Sequence, residues 1–387
     1  MDLDPRSLIV ASLLSAALLG SVSLVFATMQ GSSRVIGAWG KAMLLLATGL
    51  LGLALRGLIP DWISMAAANT VIVAALVLAL RSLRRFLGDA PRDLAGWSLT
   101  AALFAYLLLF SVVWPSNVAR AVAISAALAI VSVRAALLLR RRAPPACRMS
   151  SRFAETVFYV AAVASAARGV SILVLPSDNL MAHDPLNAAT FLFYAAFIIV
   201  ATLGVMWMEI ESLQGELVRS ARYDSLTDLY NRGTFLAEFE REVSRSARGG
   251  PAFSLAIFDL DRFKLLNDRY GHPVGDRVLK AFADALRASI RKHDVVGRYG
   301  GEEFALLMPQ TGKETAVRVA DRVRRELEAR GVSVDGKRIE VTVSAGIASH
   351  GIDGQDWDAL LTAADDALYE AKHAGRNRIC AAKPPAV

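Results

Sequence analysis

The sequence predicts a helical membrane bundle of about seven spans, followed by a soluble α+β domain. Two observations carry this. The chain is 54% hydrophobic with a mean hydropathy of +0.40, too apolar for an ordinary soluble protein. Its long apolar runs all fall before residue 209, and shorter strand-like runs and amphipathic stretches follow.

The first run, Ser7 to Met29, exceeds a signal-peptide core and lacks a cleavage site, so it is expected to be retained as a span. Further runs cover Ile36 to Ile59, Trp62 to Leu80, Gly96 to Trp114, Ala119 to Leu139, Phe153 to Leu175 and Ala188 to Met208. Each approaches the roughly 20 residues a crossing helix needs. The membrane region is therefore set at 1–208, with the second span shortened by Lys41 and Arg56. Arg81, Arg84, Arg85 and Arg92 crowd one connection, and Arg140, Arg141, Arg142, Arg148 and Arg152 another, whereas Pro176 to Asn187 carries Asp178 and Asp184 without Lys or Arg. Positive loops stay inside. With Asp2 and Asp4 at the start, this puts the N-terminus outside and the C-terminal half in the cytoplasm.

The formal charge of +7 comes mostly from arginines beside apolar runs, and no basic stripe with interleaved aromatics is seen. Membrane lipid is thus the expected partner and nucleic acid is not. Cys147 and Cys380 lie far apart without metal-ligand spacing and read as free thiols. Arg134 and Glu155 lie within or near the ends of spans, and Arg134 is read as snorkelling at a basic helix end. Arg168 sits deeper and either snorkels or points to a ligand pocket.

Residues 209–222 form a connecting stalk. Met206, Ile210, Leu213 and Leu217 recur in alternating four- and three-residue steps, suiting a short two-chain coiled coil or one amphipathic helix lying on the membrane or on its own domain. Asp224 to Asp228 reads as a capping turn before a helix containing Phe235, Phe239 and Val243. Phe253 to Phe258 is strand-like and delivers Asp259-Leu260-Asp261, then Lys264, Asn267 and Gly271 to Asp276. A carboxylate at a strand tip with a lysine five residues on suits Mg²⁺ and phosphate oxygens.

Asp294 to Tyr299 and Glu302 to Met308 read as strands joined in a tight hairpin at Gly300-Gly301, where missing side chains also let a phosphate approach the backbone. Glu302 and Glu303, as successive strand positions, would face opposite ways. A lone Gly-Gly-Glu is ordinarily a solvated hairpin tip. An Asp-ended strand, a lysine, paired glutamates and a late Lys372 with Arg376 together supply what nucleotidyl transfer requires.

From Tyr223 to Ile379 the sequence resembles the GGDEF family of diguanylate cyclases, with Arg298-Tyr299-Gly300-Gly301-Glu302-Glu303-Phe304 as a GGEEF signature. Asp224 to Arg232, Phe258 to Lys264, Asn267-Asp268, Gly275-Asp276, Val341 to Gly346, Ala364 to Tyr369 and Gly375 to Asn377 follow the family pattern in order and spacing. The resemblance implies a ferredoxin-like domain related to class III nucleotide cyclases over 223–380, with a disordered tail at 381–387. It implies a bacterial inner-membrane protein that condenses GTP into cyclic di-GMP at a site formed between the two domains of a homodimer.

By that likeness Asp259, the Leu260 carbonyl, Glu302 and Glu303 hold Mg²⁺, with Mn²⁺ an alternative, and Glu302 is the candidate base for the 3′-hydroxyl. Lys264, Lys372 and Arg376 neutralise the triphosphate, while Asn267 and Asp276 read guanine. Arg291, Asp294 and Arg322 match the inhibitory product site. Gly233 and Ala345 depart from the usual pattern; His272 and His293 are expected to be packing or surface residues. The competing expectation is a non-catalytic receptor for GTP or cyclic di-GMP coupled to a membrane sensor.

Overall fold

A computed structural model of the chain describes residues 4–29, 34–89, 93–174, 185–334 and 337–383. Expectations that rest on Asp2, Arg92, Asp178, Asp184 and residues 384–387 lie outside the described residues. The chain divides into two compact units, Met1–Gly215 and Glu216–Val387.

The first unit is helical: α1 (Pro5–Met29), α2 (Arg34–Ala54), α3 (Ala68–Phe86, preceded by a π-helical turn Trp62–Ala67), α4 (Leu94–Val112), α5 (Asn117–Arg142), α6 (Arg148–Val174) and α7 (Pro185–Arg222). Among the described residues, seven helices are long and apolar enough to cross a membrane. The second span stops at Ala54 rather than Ile59, because the chain turns back on itself, Leu58 N bonding to Leu55 O at 2.9 Å with Gly57 at φ +89°. The seventh does not end at Met208; no stop signal intervenes, and span and stalk are one helix of 38 residues. Small residues bring α1 and α2 together, since a Cβ on Gly20 would lie 3.0 Å from Gly40 O.

Arg134 does not snorkel as expected. It pairs with Asp93 at 2.5 Å, and Asp93 also caps α4 by accepting from Gly96 N at 3.0 Å, with Arg84 3.9 Å away. A buried carboxylate at a helix start draws the nearby cation inward, which a linear sequence does not reveal. Cys147 and Cys380 are free thiols, as expected.

The second unit opens with the end of α7 and continues as α8 (Arg232–Ala247), β1 (Ser254–Leu260), α9 (Phe263–Tyr270), α10 (His272–Ser289), β2 (Val295–Arg298), β3 (Glu303–Met308), α11 (Lys313–Arg330), β4 (Val332–Val334), β5 (Lys337–Ile339), β6 (Val343–Ser349), α12 (Trp357–His373) and β7 (Ile379–Ala381). Five strands form a sheet in the order β2-β3-β1-β6-β7, antiparallel except for the β6–β7 pair. β1 is central and buried along its whole length. Its Ala256, Phe258 and Leu260 join Phe282 and Phe304 in one core, while Leu255 and Ile257 join Phe235, Phe239 and Phe253 in another. Burial on both faces explains why the strand reads as a continuous apolar run.

Asp224 does not cap a helix. It accepts from Thr227 N (2.8 Å) and Thr227 Oγ1 (2.7 Å) in a turn of its own, and the cap of α8 is Asn231, accepting from Thr234 N at 2.9 Å. The domain also continues past residue 380. Ala381 belongs to β7, Ala382 N bonds to Ile347 O at 2.7 Å, and Lys383 pairs with Glu370 at 2.6 Å.

Candidate active site

Asp259, near the C-terminal end of β1, stands opposite Glu303 on β3 and Ser344 on β6. Its carboxylate is 6% exposed and pairs with Lys372 Nζ at 2.8 Å, from the last turn of α12. Burial pushes the Asp259 carboxyl above its ordinary value; Lys372 and, more distantly, Arg376 oppose that shift, and Asp261 adds to it. Glu302 is likewise raised, first by burial and then by the charges of Asp259 and Glu303, with Lys372 acting against them.

The hairpin is wider than expected. Tyr299 N and Gly300 N both donate to Glu303 O, at 2.8 and 3.1 Å, and strand pairing resumes at Arg298 with Phe304. Glu302 therefore lies in the loop and Glu303 opens β3, so the two acids are not successive strand residues. Neither glycine adopts a positive φ. Their contribution is room: a Cβ on Gly300 would overlap the Glu303 carboxylate, while one on Gly301 would meet nothing within 4 Å.

Arg298 holds this loop. Its Nη2 donates to Gly301 O at 2.6 Å, its Nε to Gly300 O at 3.2 Å, and its Nη1 reaches both Asp224 oxygens at 3.2 Å. Burial works against the Asp224 charge, but hydrogen bonds from Thr227 and the Arg298 guanidinium outweigh it and hold that carboxyl below its ordinary value.

Across the cleft floor, Asn267 on α9 faces α10, where Gly275 sits so close that a Cβ would overlap the Asn267 amide. Asn267 Oδ1 is buried with no hydrogen-bond partner among the described residues. The oxygen is pressed against α10 at Gly275, and an amide oxygen left unpaired there is costly. Asp276 is exposed beside it on α10, and Lys264 is exposed on the first turn of α9.

Two participants were not among the sequence candidates. Asp261 accepts from Thr342 Oγ1 (2.8 Å), Ser344 Oγ (2.8 Å) and Asn377 N (3.0 Å), which ties the segment carrying Arg376 to the end of β1. Asp365 on α12 has its carboxyl raised by burial and then by Glu303 and Asp366. Its seven-residue spacing from Lys372, two helical turns, is the signal that could have found it.

The structure thus brings Asp259, Glu302, Glu303 and Lys372 into one electrostatically coupled group, with Arg376 in its field. Mutually repelling, partly desolvated carboxylates are hard oxygen donors that suit a divalent cation such as Mg²⁺. Among the described residues no three acidic, His or Cys side chains converge to hold an ion alone.

Arg291, Asp294 and Arg322 are not part of this group. Arg291 and Asp294 precede β2, at the end away from the glycine loop. Asp294 accepts from Arg291 N at 2.7 Å, and Arg322 Nε donates to Ser289 O at 3.1 Å, two residues before Arg291.

Residues 221–378 match the family model described as diguanylate cyclase, GGDEF domain. The response regulator PleD of Caulobacter vibrioides is 39% identical over 158 residues, 40% of this chain and 35% of that protein. Diguanylate cyclase DgcM of Escherichia coli is 41% identical over 174 residues, 45% of this chain and 42% of that protein. The chain therefore spans roughly two fifths of the length of these curated relatives. Among solved structures, the GGDEF domain of DgcB from Caulobacter crescentus in complex with c-di-GMP is 32% identical, with 42% of this chain and 95% of that chain covered and a TM-score of 0.39.

Proposed function

Residues 221–378 belong to the GGDEF family of diguanylate cyclases, and from that premise we propose that the whole chain is a membrane-bound enzyme condensing two GTP into cyclic di-GMP and two pyrophosphate. The observation that carries this is the convergence of Asp259, Glu302, Glu303 and Lys372 beside an open glycine loop. The β1-α10-β2-β3-α11-β6 order, with β6-β1-β3-β2 adjacent in the sheet, supports a ferredoxin-like plan akin to class III nucleotide cyclases.

In this reading each domain binds one GTP. Asn267 and Asp276 pair with the guanine edge, the amide offering a donor and an acceptor and the carboxylate accepting the N1 and N2 hydrogens that adenine does not present. Gly301 leaves space for the phosphates to reach the backbone. Lys264, Lys372 and Arg376 neutralise triphosphate oxygens, and substrate binding would divide Lys372 between Asp259 and phosphate. Magnesium, with manganese an alternative, would be held by Asp259, the Leu260 carbonyl, Glu302 and Glu303, lowering the hydroxyl pKa and offsetting charge at phosphorus.

Glu302, with its raised carboxyl, is the proton acceptor for the 3′-hydroxyl. That oxygen bonds to the α-phosphorus of the GTP on a second copy of the domain, and pyrophosphate departs with the electron pair of the broken bond. The same exchange in the opposite direction closes the ring, so the reaction needs a homodimer. Cyclic di-GMP binding at Arg291, Asp294 and Arg322 provides product inhibition, an exposed arginine fork suiting a phosphate or guanine edge. The seven apolar helices and the arginine-rich loops support an inner-membrane protein with its N-terminus outside and the catalytic domain in the cytoplasm.

The test is product formation by purified full-length protein carrying Glu302→Ala or Glu303→Ala. Each substitution should reduce cyclic di-GMP synthesis by at least roughly 100-fold with the circular dichroism spectrum retained. Undiminished synthesis in either would remove the catalytic assignment.

A further inference from the structure

The first unit contains a partly open cavity of about 120 Å³ between α1, α2, α3, α5, α6 and α7. Most of its wall is aliphatic and aromatic, yet Arg56, Arg120 and Arg168 all line it, together with Asn117 and Tyr194. These arginines sit where α2 and α6 finish and α5 begins, at the opposite end of the helices from Arg84, Arg85 and Arg140 to Arg142. Topology signals gather at one side of a membrane, so the three cations at this other end need a different explanation.

Arg120 is 7% exposed and anchored by Phe110 O at 2.9 Å and by Asn117 Oδ1, which fixes its charge at the cavity. Arg168 lies beside the Tyr194 hydroxyl, itself 2.9 Å from Ser165 Oγ, and its enclosed Nε has no partner among the described residues. Among the described residues Asp61 lies in the field of Arg56 and Arg120, whereas Arg168 has the Tyr194 hydroxyl as its polar neighbour. Among the described residues, three guanidinium groups thus face one acid in apolar surroundings, an excess of positive charge that an entering anion would offset.

We propose that this cavity binds a small amphiphilic anion, its carboxylate or phosphate head on Arg168 and Arg120 and its short apolar body against Leu50, Ile124, Leu128 and Phe191. The volume is somewhat below that of an engineered apolar cavity of about 150 Å³ that admits benzene, which suits a carboxylate of a few carbons. The inference rests on the helical unit alone and is independent of the catalytic reading.

The experiment uses full-length protein in nanodiscs of zwitterionic phosphatidylcholine, with butyrate, n-butanol and inorganic phosphate titrated by saturation-transfer NMR. Butyrate should bind saturably, with n-butanol and phosphate each at least about tenfold weaker. Arg168→Gln should weaken butyrate by at least about tenfold, and Leu128→Trp, which fills the apolar wall, should abolish its binding with thermal unfolding unchanged. Loss of butyrate binding only in discs containing phosphatidylglycerol would support the same site with a lipid headgroup as its occupant. Absence of butyrate binding in zwitterionic discs, equal binding of n-butanol or phosphate, or indifference to both substitutions would overturn the proposal.

Discussion

Asp259 and Glu302 face each other's charge in a site that already disfavours ionisation, and both carboxyls are raised. A carboxyl raised on folding contributes stability below its unfolded pKa, and that contribution is lost as pH climbs through the folded value. Glu302→Gln should therefore raise the melting temperature of the metal-free protein at about pH 7 and give no gain near about pH 4. In the proposed reaction the sign reverses, since Asp259 and Glu302 would have to be ionised to bind a cation and accept a proton. The acid limb of the activity profile should lie at higher pH than an ordinary carboxylate sets, and should move to lower pH as magnesium is increased.

The proposed guanine-reading pair, Asn267 and Asp276, makes a separate demand at residue scale. Gly275→Ala would drive the Asn267 amide aside, and the preference for GTP over ATP should fall by roughly tenfold or more in competition kinetics. Asn267 and Asp276, whose guanine-reading role is a proposal, were legible as candidates through their place in a known pattern. The requirement for glycine at 275 was not, because it depends on how closely α9 and α10 approach.

At the scale of elements, the glycine loop is a small structure held from outside. Arg298 joins its two glycine carbonyls to the Asp224 turn, so Arg298→Ala should lower the catalytic rate more than GTP affinity. Gly301→Ala should leave the melting temperature unchanged, because nothing lies within 4 Å, while impairing GTP binding. A fall in stability with unchanged binding would show that Gly301 serves the fold. β1, β2 and β3 were legible because apolar runs end in turn signals. The loop shape was not: whether Glu302 belongs to loop or strand is decided by the two donors to Glu303 O. The Asp224 turn was misread because Asp-x-x-Thr suits both a helix cap and a free turn, and the true cap, Asn231, lies seven residues on.

At the scale of the whole molecule, α7 runs unbroken from the helical unit into the second unit. Its periodic apolar residues were legible, and Ile210 and Leu217 are 43% and 69% exposed in the single chain. Leu217 is not covered by its own chain, which leaves a second copy of the helix, as the proposed dimer would supply, or the membrane surface as its partner. The internal pairing of Arg134 with Asp93 was invisible in sequence, because its partners are 41 residues apart.

The most direct measurement is the stoichiometry of the reaction itself, with full-length protein in lipid nanodiscs incubated with GTP and magnesium and nucleotides quantified by mass spectrometry. Two GTP should disappear for each cyclic di-GMP and two pyrophosphate formed, at a specific rate that rises with protein concentration as dimers assemble. GTP that is bound yet recovered unchanged would contradict the enzymatic account and leave a nucleotide receptor in its place.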